Sequence, residues 1–421
     1  MSQLERRRFI QVSAGALAGA AWASTPAASA PEIDSGRVAE GKVTFPSWTA
    51  TTERPSGGPP NPLPLNERIG FAVVGLGRLA LEEILPAFAE AKQGRLVGLV
   101  SGTPEKAKLI AAQYGVDPQS IYGYTDFEAL RSNRAIQIVY VVTPNALHKE
   151  YVIGAVGAGK HVLCEKPMAT GSADAQAMVD AAAMAGRTLM IAYRSQYEPH
   201  NRAVQKIVRE KPFGPVGLID AINTQNMAAP QQWRLKKALA GGGALPDIGL
   251  YCLNGARFMS GEEPIEIFGR TWSAPNDERF GEVEESVSFM LRFPSGLIAN
   301  CFASYGLHEA RRMGLHAPGA SVNFENAFAY TGHRLTVAHR EGEAESVDER
   351  RLAAKNQFAL EIDHMAECVR TGRKPRTPGE EGVQDHKLME AIYRSAESGQ
   401  PVKLDPVETV DATRGPILSD E

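Results

Sequence analysis

An acid and a phenol stand four residues apart, Asp247 and Tyr251, inside the otherwise apolar stretch ALPDIGLYC (244–252). Three glycines, Gly241 to Gly243, precede them. On a helix, positions i and i+4 share a face, so the two polar groups are expected side by side. A core tyrosine with a hydrogen-bonding carboxylate would account for the pair, and so would a proton-transfer site. Upstream, HVLCEKP (161–167) reads as a strand ending in Glu165 and Lys166, with Pro167 fixing the turn after it. A free tyrosine titrates at about 10, too high for a general base near neutrality. A neighbouring cation favours the phenolate, which gives Lys166 a use; Asp247 would orient Lys166 or bind a substrate hydroxyl.

A second constellation begins at RIGFAVVG (68–75), an apolar, β-branched run that reads as a buried parallel strand. It leads into Gly75-Leu76-Gly77-Arg78-Leu79-Ala80 and then a helical pattern through Leu85 and Phe88. GxGxxA between strand and helix is the phosphate loop of a Rossmann fold: the glycines admit the pyrophosphate and Ala80 lets helix and strand pack closely. The next strand, Arg95 to Val100, ends in Ser101-Gly102-Thr103-Pro104-Glu105-Lys106. NAD sites place an acid here for the ribose 2′-hydroxyl. A small hydroxyl and a cation would instead bind a 2′-phosphate, so the spacing predicts NADP. A third strand, Ile136 to Val142, runs into TPNALH (143–148), where His148 is assigned no catalytic role.

These pieces need a scaffold, and the chain is long enough for two domains with cores of their own: 421 residues, 43% hydrophobic, 22% charged. The net charge is −4, without a basic stripe, which argues against nucleic acid as a partner. The four cysteines form no CxxC pair and sit among apolar neighbours, so buried thiols are expected and no metal site. At the start, ERRRFIQ (5–11) precedes an apolar run, Val12 to Ala23, too short to span a bilayer. This reads as a twin-arginine export signal over residues 1–30, with periplasmic delivery and no membrane contact after its removal. Its loss takes Glu5 and three arginines with it and moves the net charge from −4 to −6. Residues 31–67, including RPSGGPPNPLPL, are too proline-rich for regular hydrogen bonding, leaving either a solvated linker or an extended arm against another subunit. The βα alternation from 68 to 192 predicts a Rossmann domain. After Tyr193, the alternating runs Val216 to Ile222, Ile265 to Thr271, Glu285 to Phe293 and Leu297 to Ser304 predict a second domain over 193–421.

GLGRLA, SGTPEK, TPNALH and CEKPMAT, in that order, resemble the Gfo/Idh/MocA oxidoreductase family. The match extends over about residues 67 to 404. It tightens toward the glucose–fructose and periplasmic aldose–aldose oxidoreductases through KAKLIAAQYGVDPQSIYGY, LMIAYRSQYEPHNRA, QQWRLKKALAGGGALPDIGLYCLNG, GEEPIEI, PNDERF and RTPGEEGVQD. The resemblance implies an α/β Rossmann domain plus an α+β domain built on a large, mostly antiparallel sheet, and a homotetramer whose arm reaches a neighbour. It implies oxidation of an aldose to its lactone, with a second sugar reduced to an alditol by a tightly held, recycled NADP. Lys166 matches the family's EKP lysine, and Asp247 with Tyr251 its D-x-G-x-(H/Y) motif. Gly75, Leu76, Gly77, Arg78, Leu79, Ser101, Lys106, Tyr124, Asn145, Glu165, Arg194, Trp233 and Arg234 match cofactor-contacting positions, as Tyr330 does more weakly. Asn323 to Arg334 and Leu307 to Leu315 depart from the pattern, and both fall in the substrate domain, where acceptor preference is set. A conventional NADP-dependent aldose dehydrogenase, an NAD-dependent glycosidase of the same family and a non-catalytic sugar- or NADP-binding protein stand as alternatives.

Overall fold

Buried, β-branched runs build the first sheet. The computed structural model describes residues 37–39, 42–44, 63–227 and 229–418. The export signal of residues 1–30 and most of the proline-rich arm, with its docking on another subunit, lie outside the described residues. Within the arm, β1 (Arg37–Ala39) and β2 (Lys42–Thr44) pair antiparallel with each other.

β3 (Ile69–Val74), β4 (Gly94–Val100), β5 (Ile121–Tyr122), β6 (Ile138–Val141), β7 (His161–Glu165) and β8 (Leu189–Ala192) form a parallel sheet in the order β5-β4-β3-β6-β7-β8. This is the strand order of a Rossmann fold, whose ligand crevice lies outside the carboxyl ends where the order reverses, between β3 and β6. β6 is buried at every position and β3 at all but Ile69, because helices cover both faces.

The second sheet has nine strands. In chain order they are β9 (Leu218–Asn226), β10 (Glu266–Trp272), β11 (Ser286–Arg292), β12 (Ile298–Ser304), β13 (Gly306–Ala317), β14 (Ala320–Glu325), β15 (Arg334–Glu341), β16 (Ala344–Arg350) and β17 (Val402–Lys403). Their spatial order is β16-β15-β14-β13-β9-β12-β11-β10-β17, and every pairing but the parallel β9–β12 is antiparallel. Along β14, buried Val322 and Phe324 alternate with exposed Asn323 and Glu325, as expected for a sheet with one face on the core. The four expected strands of this domain appear within a few residues of their predicted ends.

Two elements depart from the sequence reading. The segment after the glycine loop opens as a π-helix, Ala80–Ile84, before one α-helical turn, Leu85–Ala87. The helix Gln357–Thr371, assigned by position to the second domain, packs on the first: Phe358, Ile362 and Met365 join a core with Phe71, Val73 and Leu99. Its Asp363 accepts the backbone N–H groups of Lys92, Gln93 and Gly94 at the entry to β4. The two sequence domains thus share one of their layers. No helix among the described residues is long and apolar enough to cross a membrane.

Candidate active site

The glycine loop leaves β3 as the pattern predicts. Gly75 has φ +95°, and a Cβ there would stand 2.4 Å from the Val142 carbonyl oxygen, so only glycine fits between β3 and β6. Around Gly77 nothing lies within 4 Å of a would-be Cβ. That is open space of the kind a pyrophosphate needs beside the backbone. Ala80 is fully buried beneath it. Lys106 reaches back from the helix Pro104–Tyr114, and its Nζ donates to the Leu76 carbonyl at 3.0 Å.

The second half of the site is held by the glycines before Asp247. Gly243 sits so close to the chain just ahead of β11 that a Cβ would meet the Glu284 carbonyl oxygen at 2.0 Å. The Glu284 carboxylate accepts the N–H groups of Gly243 (2.9 Å) and Leu245 (2.8 Å). The chain then enters a π-helix, Leu245–Gly249, in which the Leu250 N–H reaches the Leu245 carbonyl, and continues as the α-helix Leu250–Ser260. Single π-turns inside helices recur at functional sites. Asn223 of β9 fixes this one by donating to the Ile248 carbonyl at 3.0 Å.

Asp247 and Tyr251 therefore leave one helical stretch, but they do not bond each other, contrary to a simple core pair. Asp247 Oδ1 accepts Lys166 Nζ at 2.9 Å, and its backbone carbonyl accepts the same ammonium at 2.8 Å. Its Oδ2 accepts the Tyr305 hydroxyl (2.7 Å) and pairs with Arg234 Nε (3.1 Å). Burial alone would raise the Asp247 carboxyl, but Lys166 and Arg234 outweigh it, and the carboxyl stays ionised well below its ordinary range. Burial pulls the Lys166 ammonium down, while Asp247 and Tyr251 push it above the usual lysine value. Tyr251 accepts a hydrogen bond from Arg194 Nη2 at 3.0 Å, and Lys166 Nζ lies 4.4 Å from its ring centroid. Behind Lys166, Glu165 shares the Tyr140 hydroxyl with Glu361, at 2.8 and 2.9 Å. Burial and the charge of Glu165 drive the Glu361 carboxyl well up.

One cavity of about 1070 Å³ joins these parts, slightly beyond the roughly 300–1,000 Å³ typical of small-molecule sites. Gly75, Leu76, Gly77, Arg78, Leu79, Lys106, Tyr124, Asn145, Glu165, Lys166, Arg194, Trp233, Arg234, Asp247, Tyr251 and Tyr330 all line it. Of the site residues named from sequence, only Ser101 does not. It is 5% exposed, and its Oγ accepts the Thr103 N–H at 3.1 Å at the turn into the next helix. Asn145 donates to the Ala240 carbonyl, tying the TPNALH loop to the chain ahead of the glycines. His148 contacts the Thr143 and Pro167 carbonyls and is buried, a brace between two loops. Tyr330 lies against Arg194, whose guanidinium carbon is 4.4 Å from its ring centroid. Sequence reasoning missed Tyr305, Glu284, Asn223 and Gln357, which reach the site from a strand, two strand junctions and a helix far apart in the chain and carry no motif of their own. All four cysteines are buried free thiols, as expected.

Against known families, residues 69–193 match the oxidoreductase family with an NAD-binding Rossmann fold, and residues 201–338 match the GFO/IDH/MocA C-terminal domain. A D-xylose 1-dehydrogenase [NADP(+)] of Haloarcula marismortui is 32% identical over 80% of this chain and 93% of its own. A 1,5-anhydro-D-fructose reductase of Ensifer adhaerens is 29% identical over 80% and 98%. The crystal structure of aldose-aldose oxidoreductase from Caulobacter crescentus, complexed with glycerol, superposes with a TM-score of 0.77 at 43% identity, covering 80% of this chain and 100% of that one. With both family domains matched along the chain and a relative 32% identical over 80% of it, the chain belongs to the Gfo/Idh/MocA family of oxidoreductases.

Proposed function

We propose that this enzyme oxidises the anomeric carbon of an aldose to the lactone and reduces a second sugar to an alditol, using one NADP that stays bound between the two half-reactions. The observation that carries the reading is the single cavity in which the glycine loop and the Lys166–Asp247–Tyr251 group face each other. The open approach at Gly77 and the buried Ala80 fit a dinucleotide. Leu76, Gly77, Arg78 and Leu79 would hold its pyrophosphate; Tyr124, Asn145, Glu165, Trp233, Arg234 and Tyr330 would surround the remainder. Lys106 on the cavity wall, with no acid at the end of β4, favours a 2′-phosphate over a free 2′-hydroxyl. The bound nicotinamide supplies a two-electron hydride acceptor.

The chain's own residues do the rest. Tyr251 takes the proton from the anomeric hydroxyl as the C–H bond breaks and returns it in the reductive half-reaction. Lys166 and Arg194 stabilise the charge that develops on the phenol. Asp247 fixes the Lys166 ammonium through two bonds to one residue, side chain and backbone, so the cation cannot drift from the phenol. The aldose–aldose oxidoreductase likeness at 43% identity supports a sugar as both donor and acceptor. The leader ERRRFIQ supports export to the periplasm in folded form, with the cofactor already loaded, and the proline-rich arm a tetramer with arms exchanged between subunits. A conventional dehydrogenase exchanging NADP with solvent is the competing reading.

Purified protein decides between them. Bound NADP(H) surviving gel filtration, and an alditol appearing by mass spectrometry from mixed sugars without added cofactor, are expected. Turnover that requires added NADP, with no alditol formed, sinks the recycling reading and leaves the dehydrogenase. Free sugar released from an aryl glycoside, with no alditol, would point to the family's hydrolytic chemistry.

A further inference from the structure

Arg194 comes from the 3₁₀ turn Arg194–Gln196, just beyond β8, and is 4% exposed. Its terminal nitrogens are engaged within the protein. Nη1 donates to the Ala329 carbonyl (3.1 Å) and to Gln357 Oε1; Nη2 donates to the Phe328 carbonyl (2.8 Å) and to the Tyr251 hydroxyl (3.0 Å). Gln357, at the start of its helix, in turn donates to the Ala329 and Tyr330 carbonyls. A guanidinium occupied in this way has no fork left for a phosphate. Its charge instead lies 4.9 Å from the centroid of the Tyr251 ring and 4.4 Å from that of Tyr330.

The two cations beside Tyr251 are not equivalent. Lys166 spends its ammonium on Asp247 and faces the ring of Tyr251. Arg194 is the one that bonds the phenol oxygen. We propose that Arg194 is a positioning residue for proton transfer at Tyr251 and not a ligand of the cofactor. It occupies one lone pair of the phenol oxygen, directs the phenol's own O–H into the cavity, and supplies a fixed charge that favours the phenolate without moving during the reaction. This rests on Tyr251 being the group that exchanges the proton.

The test is the pH dependence of kcat/KM for sugar oxidation by the loaded enzyme. Arg194→Met and Arg194→Gln should move the ascending limb up by about one pH unit or more, because the charge-assisted bond is lost. The rate should recover at alkaline pH. Arg194→Lys keeps a cation and should hold the limb near its wild-type position. An unmoved limb in both neutral variants overturns the proposal. So does an equal shift in Arg194→Lys, since the cation would then not be what sets the limb. If Arg194→Met does not fold, the contrast of Gln with Lys at the same position carries the test. Tyr251→Phe separates the two ideas: near-normal turnover there removes the proton-transfer reading itself, whatever Arg194 does.

Discussion

At the residue scale, the site is an arrangement of charges whose partners are fixed before substrate arrives. Asp247 is the centre of it, with Lys166, Arg234 and the Tyr305 hydroxyl all converging on one carboxylate. Because that carboxylate is ionised and held by two cations, its neutral isostere leaves both cations without a counter-charge in a half-buried place. Asp247→Asn should therefore lower kcat about 100-fold, the scale of a misplaced proton-transfer group, while the cofactor remains bound. Steady-state kinetics read together with absorbance of the retained cofactor check this. Full kcat in the variant would show that Lys166 needs no anchor.

At the element scale, the three glycines before Asp247 turn out to be about distance. Gly243 lets the chain lie against the backbone of Glu284, and the Glu284 carboxylate then caps the N–H groups that open the π-turn. Gly243→Ala forces a Cβ into the Glu284 carbonyl and must push the Asp247 segment away from β11. The expected cost is about 3 kcal/mol of stability, in the upper range for overpacking, with most activity lost. Denaturant unfolding measures the first and product formation the second; an unchanged unfolding midpoint would mean the segment shifts freely. The motifs of this region are legible in the sequence because each is local: GxGxxA follows its strand, EKP ends one, and the i, i+4 spacing of D-x-G-x-Y puts its acid and phenol on one helical face. What the sequence does not disclose is contact between distant segments. The helix Gln357–Thr371 lies far along the chain, yet it packs beneath β3 and β4 and delivers Gln357 to Arg194. For the same reason Arg194 reads as a cofactor contact by position, whereas its hydrogen bonds commit it to Tyr251 and the 328–330 loop.

At the scale of the whole molecule, the same interlocking makes stability sensitive to acid through histidines that serve as acceptors. His386 Nε2 accepts the Ala169 N–H at 3.0 Å, close beyond the EKP turn, and the residue is 4% exposed. Burial pulls its pKa down to about 4, with Glu390 opposing weakly. His364 and His161 accept backbone N–H groups of Arg376 and Thr188 and are likewise lowered to about 4 by burial. The sign follows from linkage: between about 6.5, where a histidine protonates in the unfolded chain, and about 4, the unfolded state binds a proton that the native state refuses. Each such histidine therefore removes stability as pH falls through that window. For well-buried His386 the full loss is about 3 kcal/mol. Raised carboxyls such as Glu361 and Asp385 act in the opposite sense, so the wild-type curve alone is a sum of contrary effects. Comparison with His386→Gln isolates one contribution, since glutamine can still accept the Ala169 N–H but does not titrate. The variant's unfolding free energy, followed by denaturant titration from pH 7 to 4.5, should fall less steeply than that of the wild type by up to one proton, about 1.4 kcal/mol per pH unit. Parallel curves would show that His386 is protonated in the folded protein and that the loop carrying Lys166 tolerates the charge beside it.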